Sequence, residues 1–287
     1  MSSLTLVSAT PRAPALSAPR EWIARHRRDL PLLTALALFV IIVLFGAALA
    51  PFDPLKPDMK ARLQPPGAIH LMGTDPLGRD IFSRVLAGAQ LSIRSVVVII
   101  ISAVGIGMMV GALAGYAGGL VDDVIMRITD LFLAFPALVL ALAIAGALGP
   151  SLTNAMLAVS VVWWPWYARL VRGQVLSIKA EPYVEAARAI GASDPRIVRR
   201  HIVPNFLSPV IVQATLDIGA ALVITASLSF IGMGAQPPSP EWGAMLSDGR
   251  SFFLNAWWLS AFPGLAIFLT VLLCNAAGRR LHLSLPG

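Results

Sequence analysis

The sequence predicts an all-α membrane protein with about six transmembrane helices and a cytoplasmic helix-turn-helix loop. Three observations carry this expectation. The 287 residues are 57% hydrophobic and only 13% charged, with mean hydropathy +0.76, whereas a soluble domain carries about 25% charged residues. Uncharged runs such as residues 31–50 are long enough to cross a bilayer. Arginines gather before the first run, in the gap 173–205 and after the last run, as cytoplasmic segments do.

The net charge of +7 therefore belongs to loops beside an anionic membrane face. Lipid is the expected partner. Nucleic acid is not, because the basic residues are not gathered into one domain. Cys274 is the single cysteine and lies in an apolar run, so no intrachain disulfide can form.

Residues 1–30 form an expected cytoplasmic N-terminal segment, polar at first, with Arg20, Arg25, Arg27 and Arg28 crowded at its end. Residues 31–50 make the first span. A secretory signal is the rival, since Ala48-Leu49-Ala50 resembles a cleavage site. The run is longer than the usual apolar core of a signal, and Pro51 follows directly, which favours a retained anchor. Residues 51–89 are rich in Pro and Gly and lie outside. There, Asp75 before Pro76 suggests a helix cap and first turn. Ile81, Phe82, Val85 and Leu86 then make an apolar stripe, with Arg79 and Arg84 opposite, as in a helix lying in the outer interface. The acidic and basic groups here admit a metal or substrate site, but capping and pairing account for them.

The remainder, 90–287, is expected to be one transmembrane domain. Residues 91–117 span inward, and Gly107, Gly111 and Gly115 fall on one face, a close-packing signal whose partner the sequence leaves open. Residues 131–149 span outward, with Pro136 near the start. Residues 152–172 return, with Trp163, Trp164, Trp166 and Tyr167 read as an interfacial belt and Pro165 as a kink site. Residues 206–232 carry Asp217 at membrane depth, where a carboxylate is costly and faces protein or water. It either lines a path or pairs with a neighbouring helix. An outer loop, 233–255, precedes the last span, 256–277, and Arg279 and Arg280 follow it inside.

The loop 173–205 has helix grammar. Pro182 suits a first helical position. Tyr183, Ala186, Ala187 and Ile190 recur at helical spacing and predict one apolar stripe, with Glu185 beside it. Gly191 suits a left-handed closing residue, and Asp194 before Pro195 a second cap. Such a knob is either a solvated basic loop or a docking element.

Glu185-Ala186-Ala187, Gly191 and Pro204 together resemble the EAA loop of ABC importer permeases. His201 and Val203 depart from that pattern, where Ile and Leu are commonest. The run Arg200-His201-Ile202-Val203-Pro204-Asn205 is instead similar to the branch that imports dipeptides, oligopeptides or nickel. So are Gly73-Thr74-Asp75-Pro76-Leu77-Gly78-Arg79-Asp80, Ser227-Leu228-Ser229-Phe230-Ile231-Gly232 and Glu241-Trp242-Gly243. The resemblance spans roughly residues 70–280. It implies a multi-pass permease subunit in a bacterial cytoplasmic membrane, with both termini inside. It implies partners too: a second similar permease, two ATPase subunits that enter contact through the loop, and an external solute-binding protein. ATP and magnesium would sit on the ATPases and no cofactor on this chain.

That division agrees with the chemistry the sequence lacks. No G-x-x-x-x-G-K-[ST] loop occurs, and none of the three lysines follows a glycine. His26, His70, His201 and His282 have no zinc spacing, and no Gly-x-Ser-x-Gly turn is present. Dipeptides or oligopeptides are the expected substrates, with nickel or another small solute as the alternative. A secondary transporter or channel is the rival of another class. It would need ion-coupling carboxylates in broken helices and no docking loop.

Overall fold

The computed structural model describes residues 30–284, so the expected N-terminal segment, but for its last residue, lies outside the description. Among the described residues the chain is helical, with a single isolated bridge between Thr74 and Asp80. The first helix, α1, runs Leu30–Leu49. It is apolar on all sides and mostly exposed, as suits a helix surrounded by lipid. Its one buried residue, Gly46, crosses α2 closely: a Cβ there would lie 2.2 Å from the Leu86 carbonyl oxygen.

α2 runs Ile81–Ala117 without a break. Its 37 residues rise about 55 Å, well beyond the ~30 Å of a hydrocarbon core. The interface helix expected at 81–86 is therefore the first part of a span. Arg84, expected on a wet face, is only 1% exposed. The cap also differs from expectation. Asp80, not Asp75, begins this helix, accepting from the Ser83 N–H and hydroxyl at 2.7 Å each. No Pro or Gly pair follows to end the helix before the apolar run, so the two pieces fuse.

α3, Gly119–Leu133, and α4, Ala137–Leu148, meet at 89°. Pro136 explains the break. It lacks an N–H, and it disfavours helical geometry in the residue before it. The straight span expected at 131–149 is thus a bent pair. α4 alone, 12 residues, rises only about 18 Å.

α5, Leu152–Lys179, continues through Pro165. It packs along α2 where the three glycines fall. A Cβ at Gly107 would lie 2.4 Å from Tyr167 Cβ, and one at Gly111 2.3 Å from the Ala168 carbonyl oxygen. The close-packing partner left open by the sequence is therefore α5 of the same chain. α6, Pro182–Ala189, and α7, Asp194–Ile197, form the helix-turn-helix. α7 passes through a wide turn at Val198–Ile202 into α8, Val203–Ile231. Pro204 cannot donate a backbone bond to that turn, which favours the longer Val203 N–H to Val198 carbonyl spacing.

The expected outer loop contains a further helix, α9, Trp242–Gly249, before α10, Trp258–Ser284. Among the described residues four helices are long and apolar enough to cross a membrane: α1, α2, the continuous helix 194–231, and α10. The bent pair α3–α4 counts as a fifth if taken as one crossing. α5 covers the residues of the span expected at 152–172 but is not among these helices, and much of its length is buried between α2 and α8.

Candidate functional site

The segment Gly73 to Asp80 is a lock that joins the outer segment to the helices. Asp75 accepts from the Leu77 and Arg79 N–H groups at 2.8 and 2.9 Å and from Arg79 Nε at 2.5 Å. Gly78 turns with φ +75°, and a Cβ there would lie 1.7 Å from the Asp58 carbonyl oxygen. Gly73 has the same φ, with the Trp258 ring 2.8 Å from its missing Cβ. The Thr74 hydroxyl donates to the Ala61 carbonyl and accepts from Gln64 N–H, while Trp258 Nε1 donates to the Thr74 carbonyl at 3.1 Å. Asp80 also meets His70 Nδ1 at 2.9 Å. Buried Arg84 donates to the Pro54 carbonyl at 3.0 Å and reaches Asp75 at 3.8 Å. Every charged group in the motif thus has a partner within the chain, in line with capping and pairing.

Glu241-Trp242-Gly243 is a second lock. Glu241 is 1% exposed and caps α9, accepting from the Gly243 and Ala244 N–H groups at 3.0 and 2.9 Å. Burial pushes its carboxyl above the usual range, against these donors and the hydroxyls of Ser229 and Ser92. Trp242 Nε1 donates to the Val85 carbonyl at 3.0 Å, across to α2.

The knob departs from expectation in one respect. Its apolar residues do not form one stripe. Val184 is fully buried and Ala187 is 9% exposed, so both face the body of this chain. Tyr183, Ala186 and Ile190 point outward, with Ile190 87% exposed and Glu185 beside them. Positions 183, 186 and 190 repeat at i, i+3 and i+7, one face; 184 and 187 form the neighbouring face, about 100° round. Sequence reasoning passed over Val184, although its spacing to Ala187 was the available signal.

Gly191 takes φ +84°. Its N–H bonds to the Arg188 carbonyl and the next N–H, of Ala192, to the Ala187 carbonyl, both at 3.0 Å. This pairing closes a helix on a left-handed residue, as expected. Ser193, rather than Asp194, precedes α7, and it makes no side-chain cap. The Asp194 carboxylate is taken instead by the Tyr116 hydroxyl at the end of α2. Lys179 Nζ donates to the Tyr116 carbonyl at 2.7 Å and lies 5.2 Å from the ring centre. Tyr116 thus ties the knob to α2. Pro204 is exposed on the first turn of α8, near Asn205, whose Nδ2 donates to the Tyr183 hydroxyl at 3.1 Å.

Asp217 is paired with the neighbouring helix α5 and also borders a cavity. Its Oδ2 accepts from Tyr167 Oη at 2.8 Å and Trp163 Nε1 at 3.3 Å, and its Oδ1 from Gln213 Nε2 at 2.9 Å. It also lines a cavity of about 480 Å³ with Trp163, Trp166, Arg169, Leu170 and Gln213. Trp163 and Tyr167 are consequently not belt residues: they are 9% and 0% exposed and aim their polar tips at Asp217. Their i, i+4 spacing was the signal. Trp166, 57% exposed, keeps an outward position.

Known proteins share this architecture. The family model described as "Binding-protein-dependent transport system inner membrane component" matches residues 107–285. The chain is 50% identical to the probable D,D-dipeptide transport system permease protein DdpC of Escherichia coli K12, over 85% of this chain and 82% of that protein. It is 45% identical to the dipeptide transport system permease protein DppC of Alkalihalophilus pseudofirmus, over 84% and 79%. It is 44% identical to the glutathione transport system permease protein GsiD of Escherichia coli O6:K15:H31, over 90% and 86%. Among solved structures, an inward-facing MetNI methionine ABC transporter chain aligns with TM-score 0.57 and 22% identity, covering 70% of this chain and 96% of that one. An amino acid ABC transporter chain aligns with TM-score 0.56 and 16% identity, over 70% and 94%. These two share the fold.

Proposed function

The chain belongs to the family of binding-protein-dependent transport system inner membrane components, and from that premise we propose that it forms part of the membrane path by which short peptides enter the cell. It is the permease subunit of an ABC importer. Dipeptides, or peptides as small as glutathione, are the substrate class that the names of its relatives support. The chain crosses the membrane six times, with α3–α4 as one bent crossing and α5 as another, and keeps both termini inside. It works beside a second, similar permease, two ATPase subunits and an external solute-binding protein.

One observation carries the mechanism: the outward face of Tyr183, Ala186 and Ile190 on a knob seated by Val184 and Ala187. An apolar face at helical spacing, exposed on a short helix held at both ends, fits a groove on another subunit. ATP binding on the partners moves that groove, the knob follows, and α8, continuous with α7, transmits the motion into the membrane. The secondary-transporter rival fares less well. The broken span α3–α4 is present, but Asp122 and Asp130 on α3 pair with Arg172 and Arg169.

Reconstitution tests the proposal. The full set of subunits in proteoliposomes, with the binding protein on one side, should import labelled Ala-Ala only with ATP on the other. The purified chain alone should hydrolyse no ATP. Ala-Ala uptake without ATPase subunits, driven by an ion gradient, would overturn it.

A further inference from the structure

The Asp217 cavity holds a carboxylate without a counter-cation. Asp217 accepts from a phenol, an indole and an amide, all neutral. Among the described residues no Lys, Arg or His reaches it within ion-pair distance. Arg169 lines the same cavity but is engaged by Asp130 on α3. A carboxylate at membrane depth faces protein or water, and an uncompensated one there marks a functional site.

The walls add a second argument. Trp163 and Trp166 line the cavity, and aromatic faces attract cations in partly dry surroundings. Neutral donors hold both carboxylate oxygens in place, so the charge is oriented before any ligand arrives. The volume, about 480 Å³, accommodates a group larger than a bare ion.

We propose that Asp217, with Trp163 and Trp166, forms a transient site for a primary ammonium group, through which the free amino end of a passing peptide is held inside the membrane. The ammonium donates to the Asp217 carboxylate and lies against the indoles. The identity of the ligand as a peptide rests on the function proposed above; the ammonium site rests on the cavity alone.

The test uses the assembled transporter in lipid nanodiscs and a membrane-permeant carbodiimide, with total modification of Asp217, N-acylurea and amide together, read by peptide mass spectrometry. Asp217 should be labelled in amine-free transporter. Ethylamine hydrochloride and Ala-Ala should each protect it, while N-acetyl-Ala-Ala, which lacks the ammonium, should not. In parallel, Asp217→Asn should lower Ala-Ala import by roughly tenfold or more, the weight of a hydrogen bond to a charged group. Complex yield and melting midpoint should stay near wild type. Asp217→Glu keeps the charge, so it should recover much of the import that Asp217→Asn loses. Protection by ethylamine with no import of Ala-Ala by wild type would retire the peptide reading and leave the ammonium site standing. The site itself is overturned if Asp217 is never labelled, or if no amine protects it better than the acetylated control. Equal import losses in Asp217→Asn and Asp217→Glu, with falling yield in both, would also overturn it by assigning Asp217 a structural role.

Discussion

The Tyr116 hydroxyl, at the C-terminal end of α2, donates to the Asp194 carboxylate at the start of α7. Through this one bond the 37-residue helix α2 holds the second helix of the knob. Motion of the knob therefore has a direct route into α2 as well as into α8.

Removal of that phenol should loosen the knob while leaving the membrane body intact. Tyr116→Phe loses a hydrogen bond to a charged group on an exposed site, worth about 1 kcal/mol. Hydrogen exchange at the Arg196 and Ile197 amides should speed up several-fold, with exchange in α9 unchanged. Equal protection in both proteins would mean that the wide turn at 198–202 alone fixes α7.

Gly191 separates backbone strain from bulk. Among the described residues no atom beyond its chain neighbours lies within 4 Å of a Cβ built there, so a side chain meets open space. Only the φ of +84° opposes substitution. Gly191→Val should cost about 1–2 kcal/mol in the knob, and Gly191→Asn much less, because Asn tolerates the left-handed region. Import assays normalised to permease level should rank Asn well above Val.

Gly78 is the opposite case. Its missing Cβ would sit 1.7 Å from a backbone oxygen, that of Asp58, which cannot swing aside as a side chain would. Gly78→Ala should reduce permease abundance several-fold on immunoblots, since losses of 1–2 kcal/mol alter abundance to that degree. Normal abundance would show that the outer segment is free to shift away from α2.

Orientation is tested by thiol labelling. In a Cys274→Ser background, cysteine at Ile69 should react with an impermeant reagent outside intact cells, and cysteine at Ser193 should not. Ile69 is 73% exposed and Ser193 is exposed, so access depends on the membrane side alone. Labelling of position 193 from outside would invert the topology.

Much of this arrangement was legible in the residues. Apolar runs, Pro182, and Gly191 followed by a second proline-led turn located the knob, because each is a local backbone preference. The sites that were misplaced depend on tertiary contact. Arg84 looks like a wet-face residue until the Pro54 carbonyl and Asp75 surround it. Trp163 and Tyr167 look like belt aromatics until α8 brings Asp217 against them. Ala187 is interchangeable with Ala186 by composition, and only the seat of α6 on the body separates them.

That separation is the central claim, and one measurement reaches it directly. Ala186→Trp and Ala187→Trp should each be co-expressed with the ATPase subunits, and co-purified ATPase measured per unit of permease. Ala186 lies on the outward face, so its tryptophan should block docking: normal permease abundance, with ATPase recovery and import both lost. Ala187 lies against the body, so its tryptophan should unseat the knob and lower permease abundance first. Normal ATPase recovery and import for Ala186→Trp would contradict the account and leave the outward face as solvated loop surface.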